Sequence, residues 1–138
     1  IEVTFSDPNI AVVGKTYSEL MESDIEFVTG KVSYEGFGRA IIKLQEKGLL
    51  HVYVCKTTGL FLGSEIFAPG GEHMAHQLAW LANLKLNVRE ILSLPFYHPV
   101  LEEGLRTAFR DALSETDLDE NNLETLRCED PPVGVRVL

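Results

Sequence analysis

Leu49-Leu50-His51-Val52-Tyr53-Val54-Cys55-Lys56, then Thr57-Thr58-Gly59, then Leu60-Phe61-Leu62-Gly63-Ser64-Glu65-Ile66-Phe67 reads as a β-hairpin. Two apolar, strand-like runs flank a short turn that contains glycine, which is the hairpin signature. Side chains alternate along a strand, so Leu50, Val52 and Val54 face one side and His51, Tyr53 and Cys55 the other. Strands joined so tightly pair antiparallel. After the loop Ala68-Pro69-Gly70-Gly71, residues 72–86 carry the strongest helical pattern in the chain. Met74, Leu78, Leu81 and Ala82 fall on one stripe, which Ala75, Ala79 and Leu86 widen. So broad a stripe predicts a helix packed against the sheet and against one surface more.

Upstream of the hairpin, residues 2–6 alternate as a short strand that Asp7-Pro8 ends, and Ala11-Val12-Val13-Gly14 is a second apolar run. Thr16 or Ser18 can cap a short helix through Leu20 or Met21. Residues 25–32 read as a strand, Gly36-Phe37-Gly38 breaks it, and residues 39–45 fit either a turn of helix or a strand. Downstream, residues 88–94 form a short helical turn stopped by Pro95, and residues 101–113 form the last helix. No repeat is visible, and no glycine-rich fingerprint follows a strand as dinucleotide binding requires. Strands, a hairpin and then helices predict an α+β fold, an antiparallel sheet of four to five strands packed against helices in two layers.

The chain has 138 residues, one domain's worth. Twelve basic and 21 acidic residues give a net charge of −9, which argues against nucleic acid as a partner. Seven acids and two bases lie from Glu115 onward, so an acidic, solvated extension is expected over residues 115–138, behind a domain at 2–114. No apolar run reaches the roughly 18 residues that span a bilayer, and no signal peptide is visible, so no membrane partner and a cytoplasmic location are expected. Cys55 and Cys128 show neither CxxC nor zinc spacing, and Cys55 is expected to be a small buried hydrophobe in a reducing compartment. The chain opens on Ile1 rather than Met, as a processed product or a piece of a longer protein would.

The run Tyr97-His98-Pro99-Val100-Leu101-Glu102-Glu103 sets an imidazole before a proline, with a carboxylate five residues on. Proline pushes His98 out of the α region, so it should be extended and project from a loop end. Proline also favours the first helical position, so a helix is expected to begin near Pro99 or Val100. Glu102 and Glu103 would complement that helix's dipole, and on the local pattern a helix start accounts for the whole run.

The run does not stand alone. Val3-Thr4-Phe5-Ser6-Asp7-Pro8-Asn9-Ile10-Ala11-Val12-Val13-Gly14, Arg39-Ala40, Lys56-Thr57-Thr58-Gly59-Leu60-Phe61-Leu62-Gly63, Gly71-Glu72 and His98-Pro99-Val100-Leu101-Glu102-Glu103 follow one another in order. Together they resemble the C-terminal dimerisation domain of the pyridine-nucleotide–disulfide oxidoreductases, typified by dihydrolipoamide dehydrogenase and glutathione reductase. The resemblance covers about residues 2–113. It implies a homodimer in which His98 reaches the partner subunit's active site, where FAD lies beside a CxxxxC disulfide. There His98 would be the general acid/base for a substrate dithiol, with Glu103 orienting it. FAD and NAD(P) would be bound mainly by upstream domains absent from this chain. No cofactor or metal is expected on the chain itself, and alone it should be inactive. Val100 stands where the family usually has threonine, Glu102 where it has serine, and His51 where many relatives have lysine. The rival reading is a stand-alone, non-catalytic binding or interaction module of the same fold.

Other residues carry weaker signals. His73 and His76 are helical neighbours beside Glu72, but the sequence places no fourth metal ligand, and a polar helix start is the expected role. Trp80 is expected in the core or at a dimer interface. Phe96 and Tyr97 are expected to line that interface or to staple the loop. His51 is expected at the surface or on an edge strand.

Overall fold

The computed structural model describes residues 1–118. Cys128 and residues 119–138, most of the expected extension, lie outside the described residues. The alternating runs become five strands: β1 (Glu2–Thr4), β2 (Asn9–Gly14), β3 (Phe27–Ser33), β4 (Leu49–Cys55) and β5 (Phe61–Ala68). They form one antiparallel sheet in the order β1-β2-β5-β4-β3. The hairpin β4–β5 lies inside it, with Val52 opposite Ser64 and a register shift at Tyr53/Val54. Five helices complete the fold: α1 (Tyr17–Met21), α2 (Gly38–Ile42), α3 (Gly71–Asn83), α4 (Val88–Ser93) and α5 (Glu103–Ser114). This is the α+β, two-layer arrangement that the order of elements predicts.

The inner face of the sheet builds the core. Leu50, Val52 and Val54 are fully buried, α3 lies over β2 and β5, and α5 lies over β3 and β4. Helix α3 buries Met74, Ala75 and Leu78, while Leu81 and Ala82 are half-buried. It ends at Asn83 rather than at 86, because Lys85 turns into the left-handed region at φ 54°. Of residues 39–45, the first four belong to helix α2, with Ala40 buried, and the chain turns out of the helix at Lys43 and Leu44, where Leu44 has φ 55°.

Alternation gives the facing of β4 but not all of its burial. Tyr53 is on the outer face and still buried, because the rings of Tyr17 and Phe27 close over it at 6.0 and 5.9 Å. Its hydroxyl donates to the Glu65 carboxylate, which also accepts the Tyr17 N–H at 3.2 Å. Residues 115–118, the described start of the acidic extension, lie against the domain. The Asp117 N–H donates to the Lys56 carbonyl at 3.0 Å, and Leu118 packs against the core.

Helix α5 starts at Glu103, later than the expected Pro99 or Val100. The Glu103 carboxylate folds back to accept the Val100 N–H at 3.2 Å, which holds residues 98–102 as a loop. The first turn then closes through Gly104 N–H to Leu101 O and Leu105 N–H to Glu102 O, both at 3.0 Å.

What seats α5 is Gly30 on β3. A Cβ at Gly30 would fall on the Ala108 carbonyl oxygen and 2.7 Å from the Ala112 Cβ. Beside it, the Lys31 N–H donates to Asp111 Oδ2 at 2.8 Å, so α5 also satisfies a donor of this edge strand. Both neighbours of Gly30 are backbone or Cβ atoms and cannot turn aside. Gly30→Ala is therefore expected to cost about 3 kcal/mol, in the range for overpacking a closed contact. Urea unfolding checks this: the midpoint should fall at an unchanged slope, and an unchanged midpoint would contradict the contact.

Candidate functional site

His98 sits at the tip of the loop between α4 and α5. Asn87 fixes the start of α4 by accepting the Arg89 and Glu90 N–H groups at 2.9 and 3.0 Å, while Glu90 accepts the Asn87 N–H in return at 2.8 Å. The chain leaves α4 at Leu94 in an extended conformation and runs through Pro95, Phe96 and Tyr97 to His98. The His98–Pro99 peptide is cis. The His98 side chain is 78% exposed, and its Nδ1 lies 2.7 Å from Glu103 Oε1. Glu103 is thus a bridge. One carboxylate oxygen meets the imidazole and the other holds the Val100 N–H.

That geometry sets the proton on the ring. A carboxylate accepts, so Nδ1 carries the hydrogen that points at Glu103. Nε2 has no partner among the described residues, and in the neutral ring it is left as an outward acceptor. A proton taken there makes an imidazolium, whose charge the carboxylate behind it supports. The pair can therefore accept a proton from an incoming group and return it.

Beside the tip runs a groove of about 540 Å³, walled by α3, α4 and α5. Trp80, Leu94, Phe96 and Tyr97 line it, with Val100 and Glu102 at the His98 end. Trp80 is 59% exposed, so it is not a core residue, and Tyr97 is 75% exposed. His76 stacks edge-on against Trp80 at 4.7 Å, and the Arg106 guanidinium lies 5.9 Å from the Phe96 ring centre. His73 meets Glu72 at 3.5 Å, and no three His, Cys, Asp or Glu side chains converge in metal-binding fashion among the described residues.

Two further expectations need correction. His51 is half-buried on an inner strand of the sheet, not on an edge. Burial and Lys31 hold its pKa below the ordinary value, against an opposing pull from Glu65. Cys55 is half-buried rather than interior, because β4 ends there and the turn exposes it. Burial pushes its thiol up, but the hydroxyls and N–H groups of Thr58 and Thr57 outweigh that and bring it down to about 7. The Thr57 hydroxyl lies 3.5 Å from the sulfur. The two threonines of the hairpin turn were the visible signal for this.

Residues 1–109 match the pyridine nucleotide-disulphide oxidoreductase dimerisation domain, and the chain belongs to that family. Among curated relatives, it is 27% identical over 111 residues to dihydrolipoyl dehydrogenase of Haloferax volcanii, covering 80% of this chain and 23% of that protein. It is 30% identical over 106 residues to mitochondrial dihydrolipoyl dehydrogenase of Mus musculus, covering 77% of this chain and 21% of the relative. The chain thus spans less than a quarter of the length of these relatives. Among solved structures, LpdA from Mycobacterium tuberculosis superposes with a TM-score of 0.73 at 21% identity, over 79% of this chain and 24% of that one. The HOCl-induced flavoprotein disulfide reductase RclA from Escherichia coli gives 0.73 at 23% identity, over 79% and 25%. These two likenesses concern the fold.

Cys55 offers a direct check on the local electrostatics. Its lowered pKa puts more thiolate at neutral pH, so alkylation by iodoacetamide should rise with a midpoint near pH 7, below the ordinary thiol value of about 8.5. Peptide mapping separates Cys55 from Cys128. Thr58→Val should move the midpoint up, and a wild-type midpoint at the ordinary value would contradict the assignment.

Proposed function

We propose that this domain supplies the acid/base of a flavin-dependent disulfide oxidoreductase of the dihydrolipoamide dehydrogenase type. His98 is the proton carrier and Glu103 its orienter. The single observation that carries the reading is the 2.7 Å contact between His98 Nδ1 and Glu103 Oε1 at an exposed tip. A stand-alone binding module has no need of a carboxylate-oriented imidazole turned to solvent.

The chemistry follows from the ring. A dithiol attacks a disulfide only as a thiolate. Nε2 takes the thiol proton as the sulfur attacks, and Glu103 supports the imidazolium that forms. In the reverse direction the imidazolium returns the proton to the sulfur that leaves. We place the redox disulfide on the partner subunit of a homodimer, as the family resemblance implies, and the exposure of His98 at this tip suits such a reach. The groove lined by Trp80 and Tyr97 abuts the His98 loop, and a second copy seated there would bring the two sites together.

FAD and NAD(P) belong to other domains of the parent enzyme. Among the described residues Gly70-Gly71 opens the long helix α3, and Gly71 is taken up by packing against β2 and β5. A Cβ at Gly71 would lie 3.2 Å from the Asn9 carbonyl oxygen and 3.3 Å from the Ile66 side chain. As the resemblance implies, we assign this chain the proton and not the electrons, and propose that it does not turn over alone. The proposal includes a cytoplasmic enzyme, since a reducing compartment keeps dithiol substrates available.

In the full-length enzyme, His98→Gln is expected to slow dithiol oxidation by about 10²–10⁴-fold, the usual contribution of a positioned acid/base. Flavin absorbance should be unchanged. Wild-type turnover in that variant would remove His98 from the mechanism.

A further inference from the structure

We infer that Tyr34 is a positioning residue for the His98–Glu103 pair, its buried hydroxyl clamping the Leu101 carbonyl in the turn that joins the two side chains. Tyr34 lies one residue past β3 and is fully buried. Its hydroxyl is 3.1 Å from Leu101 O and 2.9 Å from Met74 Sδ on α3. A phenol has one hydrogen to give, and a carbonyl oxygen is the stronger acceptor of the two. The same carbonyl accepts the Gly104 N–H at 3.0 Å. Leu101 O therefore has both lone pairs used, one by the first turn of α5 and one by the sheet side of the core.

Leu101 lies in the short span from His98 to Glu103; its side chain is buried in the core, and its carbonyl is the backbone acceptor that Tyr34 reaches. The Glu103 carboxylate, on the first residue of α5, holds Val100 N–H and His98 Nδ1. Tyr34 adds a tie from the loop backbone to the sheet side of the core. It is rigid enough to do so: its N–H donates to Gly48 O at 3.0 Å, its carbonyl accepts the Phe37 N–H at 3.1 Å, and its ring packs on Phe37 at 5.3 Å.

Gly104 makes the clamp possible. A Cβ there would fall on the Tyr34 hydroxyl and 2.9 Å from the ring carbon that bears it. The residue after Glu103 is thus shaped to admit a hydroxyl against the first turn of the helix. A phenylalanine would fill the same space as a ring but give the Leu101 carbonyl no hydrogen. Burial and the nearby Glu102 carboxylate keep the phenol protonated, which a donor requires.

The functional meaning of the clamp rests on the acid/base reading of His98, but its existence is tested without turnover. Nitrogen-edited NMR of the 138-residue chain reads the His98 tautomer. Wild type should show the Nδ1–H form, and Tyr34→Phe should lose part of it as the loop loosens. Tyr53→Phe is the control, since it removes another phenol hydrogen bond on the far face of the sheet. It should lower stability and leave the His98 tautomer unchanged. An unchanged tautomer in Tyr34→Phe overturns the clamp. Should that variant not fold, the wild-type chain still decides. A slowly exchanging Tyr34 hydroxyl proton close to Gly104 supports the clamp, and a rapidly exchanging one overturns it. In the full-length enzyme Tyr34→Phe should lower kcat about tenfold with KM little changed, as small misplacements of reacting groups do. Failure of His98→Gln to slow turnover would remove the acid/base reading and leave the tautomer result standing. An unaltered tautomer and kcat in Tyr34→Phe would remove the clamp and leave the acid/base reading standing.

Discussion

Helix α5 rests on β3 where Gly30 lets backbone meet backbone, and the rest of the site depends on that contact. The glycine admits the Ala108 carbonyl and Ala112 to the sheet surface, and Asp111 fastens the same turn to the Lys31 N–H. Leu105, Ala108, Phe109, Ala112 and Leu113 are buried behind it. The first residue of α5 is Glu103, so the depth and direction of the helix fix where that carboxylate stands. His98 then takes its orientation from Glu103. A contact on one edge of the sheet thus decides the aim of an imidazole at the tip of a loop.

The two layers divide the work between stability and function. The inner sheet face and the buried stripes of α3 and α5 form the core, which stays closed to water. The outward sides of α3 and α4 are left apolar and open around Trp80 and Leu94. Burying exposed aromatic surface is a main source of association energy between subunits. For a dimerisation domain, the groove beside His98 is where that energy is best placed, because it adjoins the exposed His98–Glu103 pair.

Much of this was legible in the residues. Period-two alternation at Leu50, Val52 and Val54 gives the hairpin and its buried face, and the Thr57-Thr58-Gly59 turn gives its register partner. The stripe at Met74 and Leu78 gives α3. What the sequence pattern missed were features set by particular side-chain contacts. The start of α5 moved because the Glu103 carboxylate captured Val100 N–H, which outweighed the local preference of Pro99 for a first helical turn. Tyr53 is buried on the outer face because α1 folds over it, and nothing in β4 announces that. For the site, the residue types and their order came through the resemblance, whereas the bridging role of Glu103 and the approach of Tyr34 to Leu101 are matters of three-dimensional packing. Trp80 fits a core or an interface by residue type alone, and its exposure excludes the core.

Subunit complementation in the full-length enzyme tests the central claim most directly. One partner carries His98→Gln, and the other lacks its redox disulfide. Each is expected to be inactive as a homodimer. Mixed and reassociated at equal amounts, they form heterodimers with one site that has both an intact disulfide and an intact His98. Random pairing should therefore restore about one quarter of wild-type turnover, since half the dimers are mixed and each has one of two sites. No recovery, with heterodimers shown to have formed, would mean that His98 does not act across the subunit interface.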